Sequence, residues 1–129
     1  MAYTSDESGE DEVYVRSFSM NSAGTAAEAG GKWPISNGFG VDPHWRGDGR
    51  EVYFRSRSGG LMAVEIATNP AFRAGEPRPL GVLASAFVNS VGSSTWDSAA
   101  DGTRFLRLAT KGGPQPYTVV LNWQAGLKK

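Results

Sequence analysis

The chain's 129 residues suffice for one domain with a real core, and thirteen basic residues balance thirteen acidic ones, so no net field draws it to nucleic acid or to an anionic membrane. The absence of cysteine excludes disulfides, zinc–thiolate sites and thiol catalysis, and leaves oxidising and reducing compartments both open. No apolar run approaches the ~20 residues that span a bilayer, and seventeen glycines and seven prolines among short apolar runs suit an all-β chain with many turns.

The start, MAYTSDESGEDE, is acidic where a secretory leader needs a basic start and an apolar stretch. Localisation stays open between a cytoplasmic protein and a part of a longer exported or membrane-anchored one. Residues 2–5 form a first strand, and 12–18 a second, with Val13 and Val15 on one face and Tyr14 and Arg16 on the other. The alanine-rich stretch 22–31 carries three glycines and no apolar stripe, so it reads as a long loop, followed by a short strand over 32–36. Strands over 43–45 and 50–57 flank Asp48-Gly49, and the latter places Val52 and Phe54 on one face with Tyr53 and Arg55 on the other. Further strands are predicted at 61–67 and about 71–80, with 81–92 as a link. The last group is 94–97, 103–109 and 117–123, the first two flanking Asp101-Gly102.

Two of these hairpins repeat. WRGDGREVYF corresponds to WDSAADGTRFL, with Trp45 and Trp96 at matching places and an Asp-Gly turn in each, where Gly accepts positive φ and Asp bonds nearby amides. A partial third copy opens the chain, with residues 2–5 as a second strand lacking its first. Three repeats in 129 residues average about 43, the length of a four-stranded propeller blade. The blades then cover about 2–38, 42–81 and 93–129. The expected fold is all-β, a partial β-propeller of about three four-stranded antiparallel blades in a single unit.

These repeats resemble the TolB-type or WD40-like propeller repeats, whose blades carry a tryptophan, a short Asp-Gly turn and an extended apolar strand. AYTSDESGEDEVYVRSF, GKWPIS, PHWRGDGREVYF, LMAVEI and VVLNWQAGLKK resemble, more narrowly, the C-terminal blades of bacterial propellers associated with serine/threonine protein kinases. The resemblance implies a ligand- or protein-binding module of scaffold or sensor type. It implies no kinase activity, since the chain has neither a glycine-rich phosphate loop followed by a strand lysine nor HRD-like or DFG sequences.

Candidate chemistry is sparse. His44 is the one histidine, and no G-x-S-x-G elbow, H-E-x-x-H or EF-hand loop is present, so no catalytic residue, metal or cofactor is expected. Asp6, Glu7, Glu10 and Asp11 could hold a hard cation, but a solvated loop explains them better. Arg46-Gly47-Asp48 reads as a turn rather than an adhesion motif. Trp33, beside Pro34, lies outside the tryptophan register and is a candidate binding aromatic. In a blade layout, one rim gathers Asp6, Glu7, Asn37, Asp42, His44 and Arg57, a polar set suited to a peptide, a protein or a small polar ligand. Trp45, Asp48, Gly49, Trp96, Asp101 and Gly102 are structural. The rivals are a hydrolase with a pocket assembled at the rim and a propeller fragment with no role of its own. Because three blades leave edges uncovered, a homodimer is expected, closing six blades with each chain's N-terminal strands beside its partner's residues 117–123.

Overall fold

A computed structural model describes residues 1–82 and 96–107, and all regular structure there is antiparallel β with no helix. The first sheet is β1 (Ala2–Ser5), β2 (Glu12–Met20) and β3 (Ala27–Pro34), in that order. The second is β4 (Val41–Trp45), β5 (Glu51–Arg55) and β6 (Gly60–Ala67), with β7 (Arg73–Ala74) and β8 (Arg78–Val82) both paired to β6. The third joins β9 (Trp96–Ser98) to β10 (Phe105–Arg107). The strand expected over 117–123, and most of the link at 81–92, lie outside the described residues.

Turn chemistry sets these hairpins. At Asp6–Gly9, Asn21–Gly24, Arg46–Gly49, Ser56–Gly59 and Ala99–Gly102, the glycine N–H donates to the carbonyl three residues earlier, and each glycine has positive φ. This is a tight turn followed by a glycine in the left-handed region, closed by a three-residue loop at Ser56–Gly60 and by four-residue loops at Asn21–Ala26, Arg46–Glu51 and Ala99–Arg104. Gly49 and Gly102, singled out for their Asp-Gly turns, stand at φ 72° and 70°, while Asp48 and Asp101 carboxylates accept the amides of Arg50 and Thr103.

The sheets stack face to face. Val52, Phe54, Val64 and Ile66 of the middle sheet pack with Val13, Val15 and Ile35 of the first. Tyr53, Leu61 and Ala63, on the opposite face, pack with Trp96 and Phe105 of the third. The middle sheet is therefore buried on both sides, which explains why Val52, Tyr53 and Phe54 are each at most 2% exposed despite alternating faces.

The turns sort to two ends. The β1–β2 turn meets the β5–β6 turn through the Glu10–Arg57 ion pair at 2.7 Å. At the other end the β4–β5 and β9–β10 turns touch, with Gly47 N–H donating to the Ala100 carbonyl at 3.1 Å. The β1–β2 turn thus shares its end of the stack with the β5–β6 turn.

Three expectations need correction. Residues 22–31 are not one long loop, because β3 begins at Ala27, paired with Met20, once the Asn21 carboxamide has accepted the Thr25 and Ala26 amides. The fourth strand expected over 71–80 is split, with β7 on the last part of β6 and β8 on the first. Trp45 and Trp96 are not equivalent: Trp45 pairs with Val52 directly beside its turn, where the third sheet has Ser98 paired with Phe105. Trp96 lies two residues, one strand period, further from its turn, so both indoles face the preceding sheet at different heights. Trp96 is 4% exposed, and Trp45 is half-buried.

Candidate functional site

Three polar groupings sit on this frame, two of them built from the residues expected to share a rim. The first lies where the β1–β2 turn, the β3–β4 connection and the β5–β6 turn meet. Glu10 pairs with Arg57, whose guanidinium lies 4.7 Å from the Phe39 ring centroid. Glu7 pairs with Lys32, whose ammonium lies 4.2 Å from the centroid of the Tyr14 ring. The Glu12 carboxylate accepts the Gly38 amide at 2.7 Å and the Ser36 hydroxyl, and Ser36 in turn accepts the Val13 amide at 2.8 Å. These bonds pin the β3–β4 connection, leaving Asn37 exposed at its crest. Asp6 contributes its backbone carbonyl to the turn. Of the four carboxylates weighed as a cation site, Glu7 and Glu10 face cationic side chains instead. Among the described residues no cluster of three or more histidines or carboxylates has metal-holding geometry.

The second grouping lies between β4 and β9. Val41 pairs with Arg55 and His44 with Tyr53, so β4 carries one extra residue, a bulge that puts Asp42 at φ 59°. There its carboxylate lies 3.4 Å from His44 Nε2 and 3.7 Å from Arg55 Nε. On the far side, His44 Nδ1 is 3.6 Å from the Asp97 carboxylate, and the imidazole lies 4.3 Å from the Trp96 ring. The Asp42 amide donates to Thr4 Oγ1 at 3.2 Å. Asp42 and His44 therefore tie the leading strands of the sheets together.

Of the six expected rim residues, the structure brings Asp42 and His44 into contact, and brings Glu7 and Arg57 to one end through Lys32 and Glu10. Asp6 and Asn37 stand on the same end without joining either cluster. Trp33 is a packing residue: its ring stacks 4.1 Å from that of Phe72 against the core between the first two sheets.

The third grouping was missed from sequence. At the opposite end, Glu51 is only 7% exposed, and its carboxylate accepts the Tyr53 hydroxyl at 2.9 Å, Arg46 Nη1 at 3.3 Å and Arg78 Nη2. Burial alone raises the Glu51 carboxyl, but the bonds from Tyr53, Arg78 and Arg46 reverse this and hold it below its ordinary value. Burial, then the Glu51 hydrogen bond, pushes the Tyr53 phenol up to about 12. Beside this network an open groove of about 780 Å³ runs from the β4–β5 turn to β7, with Arg50 and Arg73 on its walls. Three cationic or phenolic groups around one carboxylate signal a structural clamp. The sequence signal available was the alternation that puts Glu51 and Tyr53 on one face.

No family model, no curated protein and no solved structure matches this chain.

Proposed function

We propose that the chain is a segment of a β-propeller, of the TolB-type or WD40-like kind its repeats resemble, serving as a ligand- or protein-binding module of scaffold or sensor type. The observation that carries this reading is the middle sheet, covered on both faces by neighbouring sheets whose hairpins sort alternately to two ends. Successive blades of a propeller have this arrangement, and it leaves the ends for recognition. The end holding Asn37, Phe39, Arg57, Glu10 and Glu7 offers an aromatic ring, paired charges and an exposed carboxamide, a surface suited to an extended peptide.

Peptide selection on the immobilised protein from a random library tests this. Selected peptides should lose binding to Arg57→Glu and to Asn37→Arg. Peptides that bind both variants as well as the wild type would remove this end as the recognition surface. A hydrolase is the second reading, favoured by Asp42, a residue in a strained backbone region against the one histidine. A panel of model ester, glycoside and peptide substrates separates the two. Turnover that disappears in His44→Ala would establish the hydrolase, and no turnover would leave the binding module.

A further inference from the structure

We propose that Asn37 is a site of spontaneous covalent modification: its carboxamide closes on the Gly38 amide nitrogen, the Glu12 carboxylate carries the proton, and residue 37 becomes aspartate or isoaspartate. The inference goes beyond the binding reading and does not depend on it. An asparagine is labile where the next residue lacks bulk, where that residue's N–H meets a base, and where the carboxamide is free to turn onto it. The described residues contain three asparagines, at 21, 37 and 69. Asn69 precedes Pro70, which has no N–H to attack with. Asn21 is half-buried and precedes Ser22; its oxygen accepts the Thr25 and Ala26 amides, and its nitrogen donates to Thr25 Oγ1 at 3.2 Å. Asn37 is exposed, and no hydrogen bond to the other described residues holds its side chain.

Gly38 supplies the other two conditions. It has no β-carbon to hinder the approach, and its φ of 85° lies in the left-handed region. Its N–H donates to Glu12 Oε1 at 2.7 Å, so a base already sits on the proton that must leave. The other Glu12 oxygen accepts the Ser36 hydroxyl, which holds the base against the first sheet while the carboxamide stays free. The Gly38 nitrogen bonds to Asn37 Cγ as its proton passes to Glu12. The Cγ–Nδ2 bond then breaks, Glu12 returns the proton to the leaving nitrogen, and ammonia departs from a five-membered cyclic imide. Water adds to either imide carbonyl and opens the ring to aspartate or isoaspartate, so no oxidant or reductant is needed. Either product adds a carboxylate to the end that holds Glu7, Glu10 and Arg57. Isoaspartate also adds a methylene to the main chain, beside the Gly38–Glu12 bond and the Gly40–Asp11 backbone bond.

Peptide mapping by mass spectrometry, on the full chain sampled during incubation at neutral pH, reads the loss of each carboxamide. Asn37 should lose its amide, with isoaspartate among the products, while Asn21 and Asn69 keep theirs. Unfolding in guanidinium should slow Asn37, because it takes Glu12 away from Gly38, and should expose Asn21 to conversion; this comparison needs no variant. Glu12→Gln keeps an oxygen to accept the Gly38 N–H but cannot take its proton, and should slow conversion by about tenfold or more. An Asn37 amide that survives in the fold and is lost only on unfolding would overturn the proposal. Conversion in Glu12→Gln at the wild-type rate or faster would overturn it as well.

Discussion

Replacing Glu51 by alanine probes the least expected feature of the molecule. The carboxylate is 7% exposed and accepts one hydrogen bond from a phenol that is itself 1% exposed. A hydrogen bond to a charged acceptor contributes about 1.5–3 kcal/mol, and stranding the Tyr53 hydroxyl in a dry site costs about 1–3 more. Arg78 is half exposed and rehydrates when the carboxylate is lost, so its share is small. We therefore expect Glu51→Ala to cost about 3–4 kcal/mol, and Glu51→Gln, which can still accept from Tyr53, about half as much. Urea titration reads this as a lower midpoint at unchanged slope. The pH profile gives a second check. Because the folded carboxyl lies below its unfolded value of 4.5, its contribution is complete above 4.5 and fades as acid carries the pH down through the folded value. Glu51→Ala should flatten that acid limb. A Glu51→Ala midpoint within about 0.5 kcal/mol of wild type, the size of an ordinary surface change, would refute the clamp.

At the alkaline end, the Tyr53 phenol titrates from 10 in the unfolded chain to about 12 in the fold, so wild-type stability should fall between those values by about 2–3 kcal/mol. Tyr53→Phe should remove that fall, and an unchanged alkaline limb in this variant would exclude Tyr53 as its source. Gly49→Ala should cost about 1 kcal/mol from φ alone, since open space surrounds it. Gly102→Ala should cost more, because a methyl group there runs into the Tyr53 hydroxyl and the Arg46 side chain; thermal melts giving equal losses would contradict this contact. Trp96→Ala should cost about 3–5 kcal/mol and Trp45→Ala distinctly less, an order that chemical denaturation can reverse only if the two indoles are equally buried.

Alternation and turn chemistry made the all-β class and most strand positions legible. Val13 and Val15, Val52 and Phe54, and the Asp-Gly turns state their roles through periodicity and through the backbone freedom of glycine. Residues 22–31 misled because alanine and glycine carry no strand preference, and pairing with β2 supplies what propensity lacks. The tryptophan alignment failed for a different reason. Trp45 precedes Gly49 by four residues and Trp96 precedes Gly102 by six, so aligning both the indoles and the turns absorbed a two-residue offset that only the pairing register exposes. For the candidate site, the sequence offered Glu7, Asp42, His44 and Arg57 only as members of one rim set, with no pairing among them. Their real partners, Asp97, Arg55 and Lys32 on other strands and Glu10 in the β1–β2 turn, are fixed by no local pattern. Glu51 was hidden because a carboxylate at the start of a strand reads as solvated until Arg46, Tyr53 and Arg78 are seen to converge on it.

The stacking of three sheets with the middle one buried on both faces is tested most directly by amide hydrogen exchange resolved by residue. Amides of Val52, Tyr53 and Phe54 on β5, and of Ala63 and Val64 on β6, should exchange only through global unfolding, with protection equal to the full stability of the chain. Those of β3, at the edge of the first sheet and mostly exposed, should exchange orders of magnitude faster. Comparable exchange in β3 and in β5 and β6 would contradict the sandwiched middle sheet, and with it the propeller reading.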